Sequence, residues 1–256
     1  MVRRILKYLY IAAVYLVLYV PLLVTIVFSF NNSSSADIWH GFTLKWYESL
    51  LTDKSLINSA LRSLFLAAAA ATSSTVVGTI IAIALHRYRF IGQRVVYGSL
   101  SVIMLSPEII QGISLVMIFV ILGIPLGFVT LLLSHTVFCF PFVTVTVLAR
   151  LKGVNRNLAE SGADLGASDV DIVRFILIPL ILPAVFAGWL MSFTLSIDDV
   201  IISFFVGGKE YEILPLKIYS MVQTGIQPDV NALCAALFFA TFVVVMLSYR
   251  LVRAKR

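Results

Sequence analysis

The sequence predicts an all-α, polytopic membrane protein with six transmembrane helices. Composition points there first: of 256 residues, 60% are apolar and 12% charged, with a mean hydropathy of +1.01. Soluble domains carry about a quarter charged residues, so this chain has too little polar surface to cover a globule of its size. A soluble enzyme, a disordered tail and a nucleic-acid-binding module are excluded. The second observation is six apolar stretches of membrane-spanning length. The third is the placement of positive charge.

A bilayer core is about 30 Å thick, and a helix crosses it with about 20 mostly apolar residues. Such stretches occupy about residues 8–30, 63–85, 95–122, 127–149, 180–197 and 232–252. Every charged side chain but Glu108 falls between or at the ends of them. The first follows the basic start Arg3, Arg4 and Lys7. Its apolar run is too long for a cleaved signal peptide, and no small-x-small site precedes Asn31.

Lysine and arginine alternate in density from one connection to the next. One side holds Arg3, Arg4, Lys7, Arg87, Arg89, Arg94, Arg150, Lys152, Arg156, Arg174, Arg250, Arg253, Lys255 and Arg256, which is 14. The other holds Lys45, Lys54, Arg62, Lys209 and Lys217, which is 5. Positive residues favour the cytoplasmic side, so both termini are expected inside. The whole chain then reads as one transmembrane domain, residues 1–256, with long outer loops at 31–62 and 198–231 and a long inner connection at 150–179.

That inner connection is too polar to enter the bilayer. Asn155 or Asn157 suits a helix start. Arg156 and Glu160 stand four residues apart, as do Glu160 and Asp164. Gly162 and Gly166 are one turn apart and together weaken an isolated helix by roughly 2 kcal/mol relative to alanine. A helix that carries both is expected to have a neighbour pressed against that face. Pro179 and Pro183 cannot continue a regular helix and are expected to turn the chain into the fifth span.

The segment from Glu160-Ser161-Gly162 through Gly166, then nine residues to Ile176, Ile178 and Pro179, resembles the EAA loop of inner-membrane permease subunits of bacterial ABC importers. Ser161 and Gly162 replace the two alanines of that pattern, and Ile178 replaces its leucine. The resemblance extends along nearly the whole chain to the spermidine/putrescine permeases of that family. It is carried by Gly41-Phe42-Thr43, Lys45-Trp46-Tyr47, Tyr88-Arg89-Phe90, Ser106-Pro107-Glu108-Ile109 and Phe140-Pro141-Phe142-Val143. It continues through Ser192-Phe193-Thr194-Leu195-Ser196, Asp198-Asp199-Val200 and Tyr211 to Met221.

The resemblance implies a type I ABC importer permease (MetI-like) fold and a polyamine cargo. It implies an ATPase-coupling helix with Glu160, Gly162, Ala163 and Gly166 at the interface. It also implies a second related permease, two ATP-binding subunits that hold ATP and magnesium, and a periplasmic polyamine-binding protein. The location implied is the bacterial inner membrane; no cofactor is expected in this chain, and no nucleic acid as a partner.

Polyamines are flexible polycations, so their path needs compensating negative charge or aromatic faces. Glu108 lies 14 residues past Arg94, about 21 Å along a continuous helix, where an ionisable group marks a functional site. On a regular fifth span, Trp189, Ser192, Ser196 and Asp199 fall within about 80° of one another. That stripe favours Asp199 over Asp198 for the path, unless one of the pair caps the segment that follows. The candidate path residues are therefore Glu108, Asp198, Asp199 and Trp189.

Other constellations carry no chemistry. Gly207-Gly208-Lys209 lacks the glycine and hydroxyl of a phosphate loop, with Ser203 and Glu210 at those places. His40, His86 and His135 are far apart, and His135 reads as a hydrogen-bonded packing residue. Cys139 and Cys234 read as small buried hydrophobes. A permease of the same class for ferric ion, thiosulfate or phosphonate is the nearest rival. An intramembrane enzyme would need a catalytic pair at one depth, which the sequence lacks, and a passive channel would ignore ATP.

Overall fold

The computed structural model describes residues 2–33, 38–155, 157–223 and 228–254. Among them the chain is helical, with one isolated antiparallel bridge between Asn31 and Phe42. It divides into two compact units, Met1–Asn58 with Lys217–Arg256, and Ser59–Leu216.

The first unit contains α1 (Val2–Phe28), α2 (Lys45–Thr52) and α12 (Pro228–Ala254), with α12 packed on both others. From Leu6 to Phe28, α1 is strongly apolar, and most of its described side chains are exposed, the pattern of a helix that meets lipid or another chain. The segment after α1 is pinned by polar bonds. The buried Asn31 side chain donates to the Ile38 carbonyl and accepts from His40 N–H, both at 2.8 Å. Trp46 Nε1 donates to the Asn31 carbonyl at 2.8 Å. Phe30 stacks on Phe42 at 5.2 Å between ring centres. The expected outer loop 31–62 therefore contains α2 and the start of α3 (Lys54–Arg87).

The second unit is built around α6 (Phe128–Lys152). Leu131, Cys139, Val143, Val147 and Leu151 of α6 have no exposed surface. Two glycines allow the close approach of its neighbours. A Cβ on Gly78 of α3 would stand 2.8 Å from Val143 Cβ, and one on Gly188 of α9 (Ile178–Ile197) 3.0 Å from Val143 Cγ1. Small residues at helix contacts are how apolar helices pack where lipid supplies no hydrophobic drive.

The third expected span is a broken pair, α4 (Gln93–Leu105) and α5 (Glu108–Ile121), bent by 112°. The break has a local cause. Pro107 has no N–H to give, so carbonyls at the end of α4 lose their helical partner. Gln111 replaces it: its amide donates to the carbonyls of Ile103 at 2.9 Å and Ser106 at 3.0 Å.

The prolines of the fifth span act differently from expectation. The chain does not turn at Pro179 or Pro183. It runs helically from α8 (Asp169–Asp171) through a π-helical stretch (Ile172–Leu177) into α9, 29 residues as one membrane-length helix. Pro179 cannot donate to the carbonyl of Phe175. The wider turn ahead of it absorbs the mismatch, with Ile178 N–H donating to Val173, five residues back.

Among the described residues, four helices are long and apolar enough to cross a membrane, five with the bent pair counted once. The sixth expected stretch lies in α12, whose later side chains are largely outside the described residues. The expected outer loop 198–231 holds α10 (Ile201–Val206) and α11 (Leu214–Gln223). α10 is no surface loop: Ile202, Ser203 and Val206 are fully buried against α5 and α6.

Candidate functional site

The break between α4 and α5 places Glu108 in the first turn of α5, at the rim of a cavity of about 320 Å³. Its other lining residues are Phe138, Leu195, Asp198, Asp199, Val200 and Ile201. The three acids singled out in the sequence thus line one space, although they come from two distant segments. Glu108 no longer owes its place to 21 Å of continuous helix; the bend puts it there. Among the described residues that line the cavity there is no lysine or arginine, so its charged side chains are all acidic. Among the described residues, no group of three or more His, Cys, Asp or Glu side chains is arranged to hold a metal ion.

The two adjacent aspartates have different surroundings, in the opposite order to the helical stripe. α9 ends at Ile197, so the stripe does not continue to Asp199. Asp198 is exposed on the cavity, whereas Asp199 is only 6% exposed. Asp199 accepts from Ile202 N–H at 3.3 Å, Ser203 N–H at 2.8 Å and Ser203 Oγ–H at 2.7 Å. It caps α10 at the cavity wall.

The stripe itself faces the interior. Ser192 and Ser196 are buried, and Ser196 Oγ stands 2.7 Å from Nδ1 of His135 on α6. Nε2 of that ring is 2.9 Å from Ser203 Oγ and 3.5 Å from the Asp199 carboxylate. His135 is thus the hydrogen-bonded residue the sequence suggested, but its bonds run to the cavity wall. Ser203 was legible only as a missing phosphate-loop position. Trp189 lies outside the cavity lining. Its Nε1 donates to Thr72 Oγ1 at 3.1 Å, and its ring stacks between Phe186 and Phe193 at 6.4 and 5.4 Å.

The second candidate site is the polar connection after α6. It forms α7 (Asn157–Asp164), started by Asn155, whose Oδ1 accepts from Asn157 N–H at 3.1 Å. Arg156 lies outside the described residues. Gly162 is buried where the chain crosses the π-helical stretch: a Cβ there would stand 2.8 Å from Ile176 Cδ1 and 3.5 Å from Ile172 Cγ1. The neighbour expected against this glycine therefore belongs to the same chain.

Gly166 has another role. It lies past the helix, at φ +85° with open space around it. Gly166 N–H donates to Ala163 at 2.9 Å and Ala167 N–H to Gly162 at 3.0 Å, which is a Schellman ending.

Glu160 and Ala163 are exposed, and so are three large apolar side chains beside them, Leu165 at 89%, Val170 at 72% and Phe175 at 66%. A hydrophobic edge on an otherwise polar segment marks an interaction surface. Asp169 is held by an ion pair to Arg87 at the end of α3. Both residues line a cavity of about 440 Å³, together with Tyr88, Arg89, Ala159 and Glu160 among others.

Comparison with known proteins places these features. Residues 74–255 match the family described as binding-protein-dependent transport system inner membrane component. The chain is 50% identical over 255 residues to the spermidine/putrescine transport system permease protein PotC of Escherichia coli K12, covering 100% of this chain and 97% of that one. It is 35% identical over 247 residues to the putrescine transport system permease protein PotI of the same strain, covering 93% and 88%. Among solved structures it is similar in fold to the MetNI methionine ABC transporter in an inward-facing conformation. The TM-score is 0.64 at 21% identity, over 78% of this chain and 95% of that one.

Proposed function

The chain belongs to the family of binding-protein-dependent transport system inner membrane components, and on that premise we propose that it forms half of an ATP-driven path that carries polyamines inward. It is a transport subunit, not an enzyme. The observation that carries the cargo assignment is the meeting of Glu108, Asp198 and Asp199 on one cavity without a lysine or arginine among its lining residues. Spermidine and putrescine are chains of methylenes between ammonium groups. Carboxylates beside Phe138, Leu195 and Ile201 offer both the charge and the apolar contact such a molecule needs. The relatives named for spermidine and putrescine support the same cargo.

Within this reading both compact units serve one permease domain of residues 1–256, with both termini cytoplasmic. A second, related permease supplies the other half of the path. Two ATP-binding subunits hold ATP and magnesium and grip α7 at Glu160, Ala163 and the Leu165 edge. A polyamine-binding protein delivers cargo from the periplasm. Closure of the ATPases moves α7, and the rigid helix from Asp169 to Ile197 carries that movement to Asp198 at the cavity. A ligand shifts such a two-state system only through different affinity for its states, and the loaded binding protein supplies that difference.

Proteoliposomes holding the purified complex test the reading. Uptake of labelled spermidine or putrescine should require ATP inside the compartment facing α7 and binding protein on the other side. Uptake of ferric ion, thiosulfate or a phosphonate in place of polyamine would overturn the cargo. Flux that ignores ATP would overturn the mechanism.

A further inference from the structure

We propose that His135 is a positioning residue for the carboxylate cavity, acting through Ser203 to hold the Asp199 carboxylate in one orientation at the cavity wall. The proposal rests on the reading of that cavity as a polyamine site.

The hydrogen bonds around His135 have one consistent direction. Ser203 has a single hydroxyl proton and gives it to Asp199 at 2.7 Å. At His135 Nε2, 2.9 Å away, that hydroxyl can therefore only accept. The imidazole thus carries its proton on Nε2, and a neutral ring accepts at Nδ1 from Ser196 Oγ at 2.7 Å. The order is Ser196 to His135 to Ser203 to Asp199. Every member is buried, His135 and Ser203 completely.

This chain joins three helices. Ser196 belongs to α9, His135 to α6 and Ser203 to α10, while Asp199 sits in the break between α9 and α10. A histidine that only filled space between helices would have no reason to end its bonds on a cavity-lining carboxylate. Here the second bond runs to Ser203, whose hydroxyl ends on one. Aligned dipoles strengthen one another where water is excluded, and donors fixed in advance hold the Asp199 carboxylate in place without a resident cation. Asp198 and Glu108 remain exposed on the same cavity, so the arriving ammonium groups meet a wall whose third carboxylate is already oriented.

Two substitutions separate the ring nitrogens. In His135→Gln the amide nitrogen reaches toward the place of Nε2 and keeps a donor for Ser203. In His135→Asn the shorter amide reaches only the place of Nδ1 and leaves Ser203 without its donor. The measurement is equilibrium binding of radiolabelled spermidine to the detergent-purified complex of both permeases and the ATPases, without binding protein. The yield of intact complex is recorded alongside.

His135→Asn should weaken binding about tenfold, the scale of a lost hydrogen bond coupled to a charged group. His135→Gln should stay within about threefold of the parent, with equal yields of complex. Ser203→Ala combined with His135→Asn should be no weaker than the worse single variant, because both cut one chain.

Equal binding by His135→Asn and the parent would overturn the proposal. So would weaker binding by His135→Gln than by His135→Asn, or a fall in complex yield with unchanged affinity. If the parent complex binds no spermidine, the cargo reading itself fails and this inference falls with it. If the parent binds and the variants match it, the inference alone fails.

Discussion

Ile176 Cδ1 stands 2.8 Å from the place a Cβ on Gly162 would take, so the missing side chain of one residue seats α7 on the π-helical stretch. The two lie on either side of the Schellman ending at Gly166. The segment around α7 is therefore one folded piece with the foot of the helix that runs from Asp169 to Ile197, and under the coupling role proposed above motion applied to α7 passes into that helix.

A leucine at Gly162 should unseat α7, whereas an alanine should not. The end of the Ile176 side chain can turn away from a single methyl group, but not from a branched side chain. Overpacking of this kind costs about 1–3 kcal/mol. The amount of ATPase that co-purifies should fall sharply for Gly162→Leu and stay near normal for Gly162→Ala.

Substitution at Gly166 acts through backbone conformation, since the space around it is open. Most residues resist a φ of +85° by roughly 1–2 kcal/mol, and asparagine resists least. Gly166→Arg should lower ATPase association and ATP-driven uptake together, with Gly166→Asn nearer to normal. Uptake and assembly left unchanged by Gly166→Arg would show that α7 is not the coupling element.

The bend between α4 and α5 depends on Gln111. Gln111→Leu leaves the carbonyls of Ile103 and Ser106 without a donor, a loss of about 1–3 kcal/mol for buried groups. A lower melting temperature of the purified complex is expected. Gln111→Glu, ionised and unable to donate, should be no better, and the parent's stability in both variants would sink this account of the break.

Asp198 and Asp199 should separate experimentally. Asp198→Asn removes charge from the exposed side of the cavity, so uptake should fall about tenfold with a normal yield of complex. Asp199→Asn also loses acceptor capacity toward Ser203 and Ile202, a further cost of about 1–3 kcal/mol. It should lower both uptake and melting temperature. Equal stability of the two variants would contradict the capping geometry.

Much of this arrangement was legible in the sequence. Apolar runs located four membrane-length helices and the bent pair, because length and hydropathy suffice for that. Spacing located α7, because Glu160, Gly162 and Gly166 stand at family offsets. Depth within an apolar stretch marked Glu108, and position at the outer end of the expected fifth span marked Asp198 and Asp199. What could not be read was how helices begin and end. Proline signals a break, yet Pro107 makes one and Pro179 does not. The difference lies in Gln111 capturing freed carbonyls in one case and a π-helical stretch absorbing the mismatch in the other. The stripe through Ser192, Ser196 and Asp199 assumed one unbroken helix. Its end at Ile197 exchanged the roles of two neighbouring acids. The partners of His135 come from α9 and α10 and are brought together only by packing.

The donors around Asp199 also bear on how quickly a cargo can leave. Three hydrogen bonds already occupy most of that carboxylate's lone pairs, so a passing ammonium group is drawn by its field but finds little bare oxygen to grasp. Conduits need attraction strong enough to admit a solute and weak enough to release it. On the proposed polyamine path, a carboxylate already bonded at the wall favours brief residence over capture, and so favours throughput over storage.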